Sequence, residues 1–379
     1  MQDGAANNTL KPRKNTWLVR AGDQEIGAGR PVLVQSMCAT QTKDVTATVN
    51  QINTLKYHGA GLVRVAVDSK ADVEALVKIR EMTDAALVVD IQEAFRLVPE
   101  VAPYVQKIRY NPGHLYHTYN DLTEAEKVEW IVKAAKKYGL ALRIGVNFGS
   151  LDPHQKEREG DSYEVALNSV RNHIRLMEKF SFENYVVSLK SSDPNEVIKI
   201  NHCFSEEFPY IPLHLGVTEA GMLPVAEIKT RAAFETLLLD GIGDTLRVSL
   251  TLPFSEKYKE VQIGKKIIED VLAGRASRHT YNQQGLNIVS CPSCSRVENE
   301  NFVEFAARVR AALEFAKDTP ITVAVMGCRV NGPGEADDAD IGAWCAADHV
   351  NIKLKSDLIG TFSFDEALNK IIEEVKKMM

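Results

Sequence analysis

The chain has 379 residues, 45% apolar and 25% charged, with 45 basic against 51 acidic side chains and a formal net charge of -6. That length can bury one large barrel or two domains. The acidic balance argues against a nucleic-acid backbone as partner, because such binders carry a basic excess. No apolar run approaches the ~20 residues of a membrane span, and the opening segment, Met1 to Thr16, lacks a secretory apolar core and reads as a frayed polar tail of a cytoplasmic protein.

Taken in chain order, Trp17-Leu-Val-Arg and Glu25-Ile-Gly suggest a hairpin under a barrel floor. Eight short apolar runs follow: Pro31 to Ser36, Leu62 to Val67, Ala86 to Ile91, Val105 to Tyr110, Ala141 to Val146, Tyr185 to Lys190, Pro212 to Val217 and Thr245 to Leu250. Amphipathic segments separate them, with Val45, Val49 and Ile52 on one face, then Val128, Ile131 and Ala135, then Val170, Ile174 and Met177. Gly59 and Gly139 stand where helices should stop. Eight β/α units in roughly 250 residues predict an α/β fold of the (β/α)8 TIM-barrel type rather than an open doubly wound sheet. We assign residues 1–281 to it. Residues 282–379 are expected to form a small α+β domain, with a helix carrying Phe302, Phe305 and Val309, strands at Ile321 to Val325 and Val350 to Leu354, and a last helix capped by Ser363 and Glu366.

Arg64, Arg109, Arg143 and Arg247 interrupt apolar strand runs, and Lys190 ends a fifth. A buried unpaired cation is strongly unfavourable, so each needs a partner. Internal salt bridges would serve for any one of them. Five cations converging on the mouth where barrel strands end point instead to a shared polyvalent anion, with a diphosphate the natural candidate. Asn111, Asn147 and Ser249 add neutral donors. Asp90 and Glu219 share this rim, and a carboxyl group in a phosphate pocket suggests proton handling. Glu219 could alternatively pair with Arg247 or Lys190. Cys38, after the first strand, reads as a small packing residue.

Six cysteines without a disulfide-like distribution direct attention to metal ligation. Cys291-Pro-Ser-Cys294 alone is weak. With Cys328 in a glycine-rich run downstream it suits a cluster that keeps one iron for a different ligand. A zinc site needs four protein ligands, and Cys345 could supply the fourth, so zinc stays open at this level.

These motifs resemble the 4-hydroxy-3-methylbut-2-enyl-diphosphate synthase family over nearly the whole chain. The landmarks are Val34-Gln-Ser-Met37, Val63-Arg-Val-Ala66, Asp90-Ile91, Arg109-Tyr-Asn-Pro-Gly113, Arg143-Ile-Gly-Val-Asn147, Leu213 to Gly221, Gly241 to Ser249, Ser290 to Arg296 and Gly327 to Glu335. The resemblance implies a [4Fe-4S] enzyme of the methylerythritol phosphate route, reducing 2-C-methyl-D-erythritol 2,4-cyclodiphosphate with electrons from ferredoxin or flavodoxin. It implies diphosphate binding by Arg64, Arg109, Arg143, Lys190, Arg247, Asn147 and Ser249, and proton handling by Glu219. It gives the cluster to Cys291, Cys294, Cys328 and Glu335. It also implies a homodimer in which one subunit's cluster domain covers the other's barrel. Two positions depart from the family: Gln92 replaces a common histidine, keeping a hydrogen bond but losing a charge, and Met222-Leu-Pro-Val replaces a glycine-rich stretch before Lys229-Thr230. The rival readings are a zinc-dependent barrel enzyme on another phosphorylated substrate and an iron–sulfur carrier or sensor.

Overall fold

The computed structural model of the chain describes residues 9–116, 119, 121–328, 332 and 336–379, with residues 156, 158 and 159 described in backbone only. The hairpin pairs β1 (Val19–Ala21) with β2 (Gln24–Ile26). Its Val19, Ala21 and Ile26 are buried with Leu62, Val88, Ala141 and Val186, near the starts of barrel strands, so it closes the floor. Residues 9–16 correct the expectation of a frayed tail. The Lys11 and Lys14 amides donate to the Leu239 and Gly241 carbonyls at 2.8 and 3.0 Å, and Lys11 pairs with Asp240 at 2.7 Å.

The barrel strands are β3 (Leu33–Met37), β4 (Leu62–Ala66), β5 (Leu87–Gln92), β6 (Lys107–Tyr110), β7 (Ala141–Asn147), β8 (Tyr185–Lys190), β9 (His214–Leu215) and β10 (Thr245–Leu246). All pair in parallel in the order β8-β7-β6-β5-β4-β3-β10-β9, and a bridge from Val187 to Leu213 brings the two ends together. The period-2 rule separates two roles along each strand. Val63, Val65, Ile108, Leu142, Ile144 and Val187 pack outward in the large helix-covered core, while Arg64, Arg109 and Arg143 take the alternate, inward positions. Register does the rest: Asp90 lies beside Arg109 and Arg109 beside Arg143, so the charges meet at the carboxyl ends.

The covering helices form where the sequence signals them. Helix Glu124–Tyr138 starts with a Thr123/Glu126 capping box, buries Val128, Ile131 and Ala135, and stops at Gly139, whose φ of 66° is the left-handed conformation glycine adopts without a Cβ penalty. No described helix is long and apolar enough to cross a membrane.

After helix Tyr258–Leu272, residues 273–286 contain neither helix nor strand. A second sheet follows, ordered β11 (Asn287–Ser290), β12 (Thr322–Met326), β13 (Ile341–Cys345), β14 (Val350–Leu354) and β15 (Asp357–Phe362). Its first three strands are parallel and its last two antiparallel. Helices Asn301–Ala312 and Phe364–Met378 cover it, burying Phe302, Phe305, Val309, Ile371 and Val375 in one core.

Candidate functional site

One cavity at the barrel mouth is lined by Arg64, Gln92, Arg109, Asn111, Arg143, Asn147, Lys190, Glu219, Arg247 and Ser249, and on its other side by Cys291, Cys294 and Cys328. The two groups of residues singled out in the sequence therefore face one space. Glu335 lies outside the described residues.

The cations are crowded and underused. Arg143 is 1% exposed, and its Nη1 donates to Ser188 Oγ at 3.0 Å while Nε and Nη2 make no hydrogen bond. Arg247 likewise has Nε and Nη2 without a hydrogen-bond partner, its nearest carboxylate being Glu260 at 4.0 Å. Arg64 donates only to the Met37 thioether, a weak acceptor, at 3.0 and 2.8 Å. Burial, reinforced by Arg247, Arg109 and Arg296 and opposed by Asp90, pushes Arg64 down to about 9. Burial and then Arg143, Arg64, Arg247 and Arg109 hold Lys190 well below the ordinary lysine range. Buried, mutually repelling donors of this kind fit an anion that satisfies them all.

Two glycines make room for them. A Cβ on Gly145 would stand 2.4 Å from Arg109 Nε, and one on Gly216 would stand 2.6 Å from Lys190 Nζ. Among the neutral groups, Asn111 Nδ2 donates to Ser150 Oγ at 3.0 Å and Asn147 Oδ1 accepts from Thr218 Oγ1 at 3.3 Å. Gln92 is buried with its Oε1 unpartnered, and both Gln92 and Glu219 have φ of 46°, unusual for residues with a side chain. Strain of this sort is retained where the surroundings fix a side chain for use. Lys229, beyond the departing segment, donates to Asn287 at 2.9 Å.

Asp90 corrects the expectation that both rim carboxyls handle protons. Burial pushes its carboxyl up, but Arg109, Arg64 and Arg296 together hold it well below the usual range, and it pairs with Arg109 at 2.9 Å and Arg296 at 3.1 Å. It is a permanent anion that orients guanidinium groups.

The cysteines meet because β11 and β12 are parallel neighbours, Ser290 beside Val325, and both loops leave the same sheet edge. None of them is in a disulfide, and the Gly327 amide donates to Cys291 Sγ at 3.1 Å. Three thiols on one wall with a backbone N–H aimed at sulfur fit an iron–sulfur cluster, whose sulfurs are stabilised by such bonds. Among the described residues no three His, Cys, Asp or Glu are gathered around a single ion position. Cys345 sits in β13 within the sheet core, away from the cavity, its thiol pushed up to about 12 by burial. Cys38 is buried too, at about 12, burial outweighing Lys257.

Sequence reasoning passed over Arg296, Ser188, Ser150 and Thr218, which also line the cavity. Arg296 had a signal, two residues after Cys294, the second cysteine of the first motif.

Fold and site define a TIM-barrel protein with a polycationic mouth, faced by a cysteine-bearing second domain. The chain belongs to the GcpE family: the GcpE TIM-barrel domain matches residues 16–265 and the GcpE protein C-terminal domain residues 287–377. It is 52% identical over 374 residues to a protein of Rhodopirellula baltica named 4-hydroxy-3-methylbut-2-en-1-yl diphosphate synthase (flavodoxin), covering 98% of both chains. Proteins of the same name from Nautilia profundicola and Nitratiruptor sp. are 38% and 39% identical, covering 96% and 97% of this chain and 98% of each relative.

Proposed function

We propose that the chain catalyses reductive ring opening and dehydroxylation of 2-C-methyl-D-erythritol 2,4-cyclodiphosphate, giving 4-hydroxy-3-methylbut-2-enyl diphosphate and water. The observation that carries this is the shared cavity in which buried cations with spare donors face three cysteines held in no disulfide. Arg64, Arg109, Arg143, Lys190 and Arg247 bind and orient the diphosphate, with Asn111, Asn147, Ser249 and Gln92 on the remaining oxygens. Cys291, Cys294, Cys328 and Glu335 would hold a [4Fe-4S] cluster, which would supply one-electron reducing equivalents drawn from flavodoxin or ferredoxin. Glu219 holds the proton that leaves with the substrate hydroxyl as water; its left-handed backbone fixes it at the cavity wall. The cysteine domain closes the mouth and excludes solvent from the reacting carbon.

We place the division between barrel and cluster domain at residues 281 and 282, within the segment 273–286. The protein acts as a homodimer in the cytoplasm. In this structure the cysteine domain faces its own barrel. Exchange through the segment 273–286 would build the same contacts between two chains. The zinc reading is disfavoured by Cys345, whose place in the sheet core leaves it unable to complete a four-cysteine site without unfolding β13. The carrier reading is disfavoured by the polycationic mouth, which electron transfer does not require.

The test is anaerobic preparation with iron and sulfide, followed by turnover of the cyclic diphosphate with reduced flavodoxin and identification of the product. Formation of the hydroxymethylbutenyl diphosphate supports the proposal. Substrate returned unchanged by a brown, reducible protein overturns it.

A further inference from the structure

We propose that Arg296 is a positioning residue that couples occupation of the anion pocket to seating of the cysteine domain on the barrel. The inference rests on the reading that the pocket binds a diphosphate. Arg296 follows Cys294 by two residues, and its side chain is 4% exposed. Its Nε and Nη2 grip both oxygens of Asp68, at 2.9 and 2.7 Å, and its Nη1 and Nη2 reach Asp90 Oδ2 and the Asp90 carbonyl at 3.1 and 3.2 Å. Both acceptors belong to the barrel. The second domain thus drives a guanidinium held by four hydrogen bonds into the first domain's mouth.

Asp90 makes the coupling. Its Oδ1 accepts from Arg109 Nη1 at 2.9 Å and its Oδ2 from Arg296, so one carboxylate is shared by a pocket arginine and the arriving one. With the cysteine domain away, Asp90 offsets one of the cations Arg64, Arg109, Arg143, Lys190 and Arg247, and among the described residues Glu219 is the other carboxylate on the wall. When Arg296 engages Asp90 and Asp68, the offset is drawn toward the incoming guanidinium and the pocket presents more net positive charge to an anion. Whatever affinity closure adds for the anion, the anion must add for closure, because the coupling free energy is reciprocal. The domains are joined through residues 273–286, which hold no helix or strand and leave the interface contacts to set closure. The same contacts would serve a domain seated on a partner's barrel.

Asp68 is the clean handle. It does not line the cavity, its side chain is 46% exposed, and it grips Arg296 from outside. Asp68→Asn and Arg296→Lys are prepared anaerobically as holoprotein. Without reductant, binding of the cyclic diphosphate is measured by calorimetry, and hydrogen exchange of segments 62–68 and 290–297 is followed with and without it. Iron content and visible spectrum should match the unsubstituted protein. Affinity should fall about three- to tenfold in Asp68→Asn, with a smaller gain in protection on binding and faster exchange of 290–297 even without ligand. A purely structural pair predicts unchanged affinity, because Asp68 does not face the pocket. Equal affinity and equal exchange in both variants would overturn the proposal. If the unsubstituted protein fails to bind the diphosphate, the functional reading fails instead, and ligand-free exchange still decides whether Arg296 holds the domains together.

Discussion

Arg143→Met separates a binding cation from a structural one, because the two roles predict opposite stability changes. The substitution keeps much of the side chain's length and apolar stem while removing the charge. In the free protein Arg143 is buried, bonded by Nη1 to Ser188, and surrounded by Arg64, Arg109 and Arg247 with Asp90 as counter-charge. Among the described residues Arg143 has no carboxylate within ion-pair distance and is repelled by three buried arginines, so removing its charge relieves desolvation and repulsion, and thermal denaturation of the ligand-free variant should occur at the same or a higher temperature. The two donors without partners are those a diphosphate would use. Losing two charge-assisted hydrogen bonds at about 1.5 kcal/mol each, the lower end of their range, totals about 3 kcal/mol and raises Kd on the order of 10²-fold. Calorimetric titration with the cyclic diphosphate and a melting curve of the free protein provide both readings. A variant that loses stability and keeps its affinity would refute the reasoning and return Arg143 to the core.

Glu219→Gln should bind the diphosphate and retain iron yet lose about 10²–10⁴-fold in turnover, since an amide keeps the shape but holds no exchangeable acid proton; single-turnover product analysis reads this, and near-normal turnover would make Glu219 structural. Cys345→Ser should retain iron and spectrum, whereas Glu335→Ala should alter the cluster spectrum and abolish turnover; the reverse pattern assigns a fourth thiolate. Proton uptake should accompany binding. Lys190 is held below 10.5 by burial and the neighbouring arginines, and an added anion raises it back. Between the depressed value and the higher one in the complex, the complex therefore binds more protons than the free protein, and the uptake vanishes once pH rises above the latter. Calorimetry in buffers of differing protonation enthalpy, scanned upward from neutrality, should show buffer-dependent heats; buffer-independent heats across that range would remove Lys190 from the site.

The barrel was legible because its strands are continuous apolar runs and the covering helices carry their own caps, as at Thr123/Glu126 and Gly139. The cations were legible for the complementary reason: one inward arginine can be explained by a salt bridge, but four with a lysine converging on one mouth cannot. Asp90 was misread because its partner Arg296 is 206 residues away in sequence, and nothing local reveals a carboxylate divided between two domains. The start of the chain was misread because residues 11–16 are polar yet held by backbone hydrogen bonds and ion pairs, which leave no apolar pattern. In the second domain β11, β13 and β15 went unmarked. β11 is four residues long and runs straight into the cysteine motif, β13 contains Gly342 and Ala343, and β15 is largely exposed. Strands of that kind are defined by their neighbours rather than by their own composition.

The central claim is that pocket and cysteines act on one bound molecule in one cavity. Electron paramagnetic resonance of the anaerobically reduced holoprotein tests it most directly, recorded with and without the cyclic diphosphate and repeated for Arg143→Met at the same ligand concentration. The account predicts a substrate-induced change in the cluster signal of the unsubstituted protein that is lost, or needs on the order of 10²-fold more ligand, in the variant. A signal unaltered by substrate that calorimetry shows to be bound would place cluster and anion in separate sites and contradict the account.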